Sequence, residues 1–116
     1  MGYNDEDLDV LNANEVQNTT KVKNRNKTPK MYSLLMHNSD IISFEYVLVV
    51  LSEIFQKDFQ EAMDIAIIAH RQGKSLVGVY TKMQAEQKLR KLDKMNAEAV
   101  ESGIIGEALI IEMKEN

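Results

Sequence analysis

The feature that most restricts this chain is the point at which its apolar residues begin to recur. Residues 1–28 are crowded with Asn, Thr and charge and offer few apolar anchors (Leu8, Val10, Leu11, Val16 and Val22). Such a composition cannot offset the entropy lost on ordering a backbone. From Pro29, the single proline, apolar positions return at strand and helix spacing and continue to the C-terminus. Of the 116 residues, 1–28 therefore read as a disordered N-terminal extension and 29–116 as one core domain. A domain of that length needs no covalent staple. None is present: zero cysteines exclude a disulfide framework, a thiolate zinc site and a cysteine nucleophile.

Charge is partitioned as sharply as hydropathy. Asp5, Glu6, Asp7, Asp9 and Glu15 stand in a segment with no base, and Lys21, Lys23, Arg25, Lys27 and Lys30 follow with no acid. The two blocks cancel, so residues 31–116 carry the whole net charge of −4. That balance argues against nucleic acid as the partner. Lys88, Arg90, Lys91 and Lys94 recur on one predicted helix but are interleaved with acids, as on a solvated face. The extension itself suits either a solubilising tail or a segment that a partner handles. No run approaches the roughly 18 apolar residues of a membrane helix; Tyr46–Leu51 is only core-sized. The N-terminus carries acids where a signal peptide carries bases, so the expected location is the cytoplasm and no membrane partner is expected.

Within 29–116 the periodicity predicts six elements. Lys30–Met36 reads as a strand, and the polar cluster His37-Asn38-Ser39-Asp40 ends it. Ser43 caps a helix with Phe44, Val47, Val50, Leu51 and Ile54 at helical spacing. After the connection Gln56–Asp58 comes a second helix, with Phe59, Ala62, Met63, Ala66, Ile67 and His70 along one face and Gly73 as its terminating glycine. Ser75–Tyr80 is a second strand. Thr81-Lys-Met-Gln84 is a capping box opening a long third helix with Ala85, Leu89, Leu92 and Asn96 inward, which Ser102-Gly103 ends. Ala108–Met113 completes the set as a strand. The fold class is α+β: a small three-stranded antiparallel sheet with three helices packed on one face, in the order β-α-α-β-α-β.

Catalytic signatures are thin. There is no Gly-rich phosphate loop, no nucleophile elbow and no His-Glu-x-x-His. Two histidines, His37 and His70, cannot build a zinc site alone. Ser39 is a nucleophile candidate for a His70–Asp40 pair by proximity only. No catalytic residue, metal or other cofactor is expected. What remains is an acceptor-rich loop (Asn38, Ser39, Asp40) beside an apolar helix start, with His70 ending the second helix. Such a combination can hold an ammonium group next to a hydrophobic side chain. The same residues also suit structural roles: His70 as a helix C-terminal cap, Val47 and its neighbours as core.

Several blocks in register carry a resemblance. Lys30-Met-Tyr, Asn38-x-Asp40, Phe44-Glu-Tyr-Val47, His70-Arg-Gln-Gly-Lys74, Val77-Gly-Val-Tyr-Thr81 and Ala85-Glu86 resemble the ClpS adaptor family over about residues 27–113. The resemblance implies a non-enzymatic, monomeric adaptor of the bacterial N-end rule pathway. It would bind hydrophobic N-terminal residues of protein substrates (N-degrons) and deliver them to a Clp AAA+ unfoldase, ClpA or ClpC, for degradation by ClpP.

Carried over by position, the resemblance makes Asn38, Ser39, Asp40 and His70 the partners of the substrate α-amino group. It makes Ile42, Phe44, Val47, Ala66 and Ala69 the hydrophobic pocket, and Met83, Glu86 and Lys88 the unfoldase-facing surface. The family usually places a carboxylate where Ser39 stands, and Asp40 is the acid expected to compensate. It commonly has Met at the positions of Phe44 and Ala66 and Thr at that of Ile42, so the pocket is expected to be reshaped toward β-branched residues. The alternative is a divergent ClpS-like regulator that binds the unfoldase or another protein and has weakened or lost N-degron binding.

Overall fold

Three short strands and three helices form between Pro29 and the C-terminus; the structure, a computed structural model, describes residues 29–116. The extension expected over 1–28 lies outside the described residues. In chain order the elements are β1 (Met31–His37), α1 (Phe44–Glu53), α2 (Phe59–Gln72), β2 (Lys74–Thr81), α3 (Lys82–Glu101) and β3 (Ile111–Glu115).

The sheet order is β2-β1-β3, both pairings antiparallel. This is the expected β-α-α-β-α-β architecture. β1 is central, paired along both edges, and its alternation sets its faces: Leu34 and Met36 are buried, while Ser33, Leu35 and His37 are half-exposed. An irregularity in the β1–β2 register falls between Leu34 and Leu35, where Gly78 and Leu76 are their partners. Val77 is the extra residue and it remains buried.

Each helix begins on a side-chain cap. Ser43 accepts from the Tyr46 amide at 3.2 Å. Asp58 and Glu61 form a reciprocal box, as do Thr81 and Gln84. Each such cap contributes about 0.5–2 kcal/mol. α1 buries Tyr46, Val47, Val50 and Leu51; Val50, Leu51 and Leu34 are fully enclosed, each worth about 1.5–3 kcal/mol relative to exposure.

Two expectations are corrected in detail. On α2 the inward row is Ala62, Ala66 and Ala69, while Phe59 in the first turn is 71 % exposed and His70 in the last is also exposed. Small residues, not the periodic large ones, face the core. The last strand begins at Ile111 and not at Ala108. The Leu109 amide and carbonyl are bonded instead to the Asn96 side chain on α3, at 3.3 and 3.0 Å, so that residue cannot join the ladder. Apolar content alone reads as strand; the hydrogen bonds go elsewhere.

Candidate functional site

The polar loop leaving β1 is held from two sides. The His37 amide donates to the Ile110 carbonyl and the Asn38 amide to the Gly73 carbonyl, both at 2.9 Å. Gly73 ends α2 with φ 90°, a left-handed conformation that glycine adopts without penalty. The loop therefore starts between the end of α2 and the segment before β3.

These constraints close a cavity of about 280 Å³. Asn38, Ser39, Asp40, Ile42, Phe44, Val47, Ala66, Ala69 and His70 all line it, together with Met36, His37 and Leu109. The apolar part comes from α1 and α2, which contribute Phe44 and Val47 on one side and Ala66 and Ala69 on the other. Ile42, Val47, Ala66 and Ala69 are buried, whereas Phe44 is 43 % exposed and stands at the opening. Ala66, four residues before His70 on the same helix face, puts no bulk into the cavity.

The polar part is the 38–40 loop with His70. Asn38 Nδ2 donates to Asp40 Oδ1 at 3.2 Å, which leaves the Asn38 carbonyl oxygen free to accept an N–H from a ligand. Ser39 Oγ accepts weakly from the Ile41 amide (3.4 Å) and donates to Glu107 Oε2 at 2.8 Å. His37 Nε2–H donates to Glu112 Oε1 at 2.8 Å. That bond, partly opposed by burial and then aided by the charges of Lys74, His37 and Lys114, holds the Glu112 carboxyl below its ordinary value.

Met36, His37 and Leu109 line the cavity without being among the site residues expected from the sequence. Met36 carries a readable signal, as the last inward residue of a strand running into the loop. Leu109 carries none, because its place depends on Asn96. Ser39 is bonded to Glu107 and the Ile41 amide, and no Ser39–His70 hydrogen bond occurs among the described residues. No group of three or more His, Asp or Glu is placed to share a metal ion among them. None of their helices is long and apolar enough to cross a membrane.

The residues expected to face an unfoldase lie on α3. Met83 is 70 % exposed and Glu86 is exposed. Lys88 is half-buried: its Nζ donates to the Ile54 carbonyl (3.1 Å) and Gln56 Oε1 (3.2 Å), and it lies over the rings of Phe55 and Tyr80.

A cavity with acceptors at its rim and apolar walls below fits a terminal amine attached to an apolar side chain. In comparison with known proteins, the family model "ATP-dependent Clp protease adaptor protein ClpS" matches residues 27–103. The chain belongs to the ClpS family. A ClpS adapter protein of Lawsonia intracellularis is 37 % identical over 73 residues, covering 63 % of this chain and 67 % of that protein. One from Acetivibrio thermocellus is 39 % identical over 72 residues, or 62 % and 73 % of the two chains. Among solved structures, Agrobacterium tumefaciens ClpS2 bound to L-phenylalaninamide superposes with a TM-score of 0.67 at 27 % identity, covering 77 % of this chain and all of that one. These ClpS relatives are named as adapters of a protease.

Proposed function

We propose that this ClpS-family chain is a non-enzymatic adaptor that binds hydrophobic N-terminal residues of protein substrates and delivers them to a Clp AAA+ unfoldase of the ClpA or ClpC type. The observation that carries the reading is the cavity itself, which unites a rim of hydrogen-bond acceptors with apolar walls sized for one side chain. In this reading Asn38, Asp40 and His70 meet the α-ammonium, and Ile42, Phe44, Val47, Ala66 and Ala69 take the side chain. Met83, Glu86 and Lys88 belong to the surface that meets the unfoldase. Support also comes from the Agrobacterium relative, solved with an amidated phenylalanine.

Fluorescence anisotropy with a Leu-initiated peptide and its N-acetylated twin tests the reading. Acetylation removes the charge and should weaken binding at least about tenfold, the scale of one charge-assisted hydrogen bond. Equal or absent binding of both peptides would instead favour the divergent regulator, for which Ser39 in place of the family's usual carboxylate is the specific observation. Peptides beginning with Leu, Phe, Ile and Val then test the pocket's shape. With Ala66 leaving space opposite Phe44, Ile and Val should bind measurably, and Ala66→Met should weaken them.

A further inference from the structure

Ser39 gives the rim of the cavity a hydroxyl and no carboxylate of its own, but that hydroxyl binds a carboxylate from elsewhere in the chain. Glu107, 68 residues further along the chain, takes a hydrogen bond from Ser39 Oγ at 2.8 Å through Oε2. Ser39 lines the cavity, so that oxygen is one hydroxyl away from the cavity's interior.

The contact is supported by the segment that carries it. Two residues after Glu107, the Leu109 backbone is clamped by Asn96 and its side chain forms part of the cavity wall. One residue before it, Gly106 lies against Ile41, whose Cδ1 is 3.8 Å from where a Cβ would stand. Ser39 Oγ is oriented from the other side by the Ile41 amide, which directs its hydroxyl hydrogen toward Glu107. Among the described residues no Lys, Arg or His forms an ion pair with Glu107, and Oε1 takes no hydrogen bond.

We infer that Glu107 supplies an anionic partner, beside Asp40, for the α-ammonium of the bound peptide, with Ser39 holding its carboxylate next to the cavity rim. The inference rests on the N-degron reading above and adds a specificity residue from a different part of the chain. Asp40 lines the cavity and accepts from the Asn38 amide through Oδ1, with its other oxygen uncommitted, so Glu107 adds a carboxylate beside Ser39 rather than replacing Asp40. A carboxylate docked on a hydroxyl through one oxygen keeps the other for N–H donors from a charged amine.

Four proteins decide the matter by anisotropy with the Leu-initiated peptide and its acetylated twin: wild type, Glu107→Gln, Glu107→Gln combined with Ser39→Asp, and a control. Glu107→Gln keeps a hydrogen-bond acceptor for Ser39 and removes only the charge. It should weaken the free-amine peptide about ten- to a hundredfold, the range for a lost charge-assisted bond, and leave the acetylated one unchanged. Ser39→Asp in that background should restore affinity by returning a carboxylate to the rim. Glu101→Gln, the same charge change at the end of α3, serves as the control and should bind like wild type. Thermal melts of all variants exclude unfolding as the cause. If wild type prefers the free amine and Glu107→Gln does so equally, the inference is overturned while the N-degron reading stands. If wild type shows no preference, the reading itself fails and the inference with it.

Discussion

The hydroxyl of Tyr46 on α1 donates to Oδ1 of Asn96 on α3 at 2.8 Å, both residues buried. The same Asn96 side chain holds both the amide and the carbonyl of Leu109. One amide thus joins two helices to the segment that supplies a wall of the cavity and, two residues earlier, Glu107.

Asn96→Ala should therefore cost about 3 kcal/mol, because each buried polar group left without a partner costs roughly 1–3 kcal/mol. Tyr46→Phe should cost only about 1 kcal/mol, since Asn96 keeps its bonds to Leu109. Urea unfolding of the two variants measures the difference. Equal losses would mean that the Leu109 clamp adds nothing to stability.

Gly73→Ala tests the turn that positions Asn38. A Cβ there would meet nothing within 4 Å, so the penalty is purely the left-handed backbone at φ 90°. About 1–2 kcal/mol of stability should be lost, with Gly73→Asn losing less because Asn tolerates that region. A thermal melt showing no decrease for Ala would contradict the assigned backbone conformation.

Lys88→Ala should lower stability by about 1–2 kcal/mol, through the lost bond to the Ile54 carbonyl at the end of α1 and the lost packing of its stem on Phe55 and Tyr80. Glu86→Ala, exposed on the same helix, should stay within about 0.5 kcal/mol of wild type. Comparing unfoldase affinity for the two variants then separates a partner contact from a folding effect. A full-stability Lys88→Ala protein would remove the structural role assigned here.

The pair of His37 and Glu112 sets part of the acid stability. Glu112 has its folded-state pKa lowered from the ordinary 4.5, first by the hydrogen bond from His37. A depressed carboxyl favours the fold above its unfolded pKa, and that stabilisation disappears as pH falls through the lower folded value. Stability followed from pH 6 downward should therefore decline below about 4.5, the unfolded-state carboxylate range. Glu112→Gln should flatten that limb. An unchanged acid profile in the variant would show that the pair contributes nothing.

Much of the fold was legible from local chemistry. Ser43 and Thr81 announced two helix starts and Gly73 a helix end, because caps satisfy orphan backbone groups within three or four residues. Asp58 with Glu61 carried an equally local signal that composition alone left unread. Phe59 and Ala108–Ile110 were misjudged for a different reason. Helical spacing does not say which periodic residue faces the core when a row of alanines allows a closer approach. An apolar run does not say where its backbone hydrogen bonds go.

The sequence by itself determined the element order, the caps and the family, since each depends on residue types at short or regular spacing. It also pointed to the 38–40 loop and His70, because both lie at the ends of readable elements. Only the tertiary structure decided what stands beside Ser39. Reading outward from that serine reaches only its neighbour Asp40, whereas folding brings Glu107 to it across 68 residues. Contacts of that separation are set by how α3 and the segment after it pack on the sheet, through Asn96, Leu109 and Gly106. No local pattern encodes them.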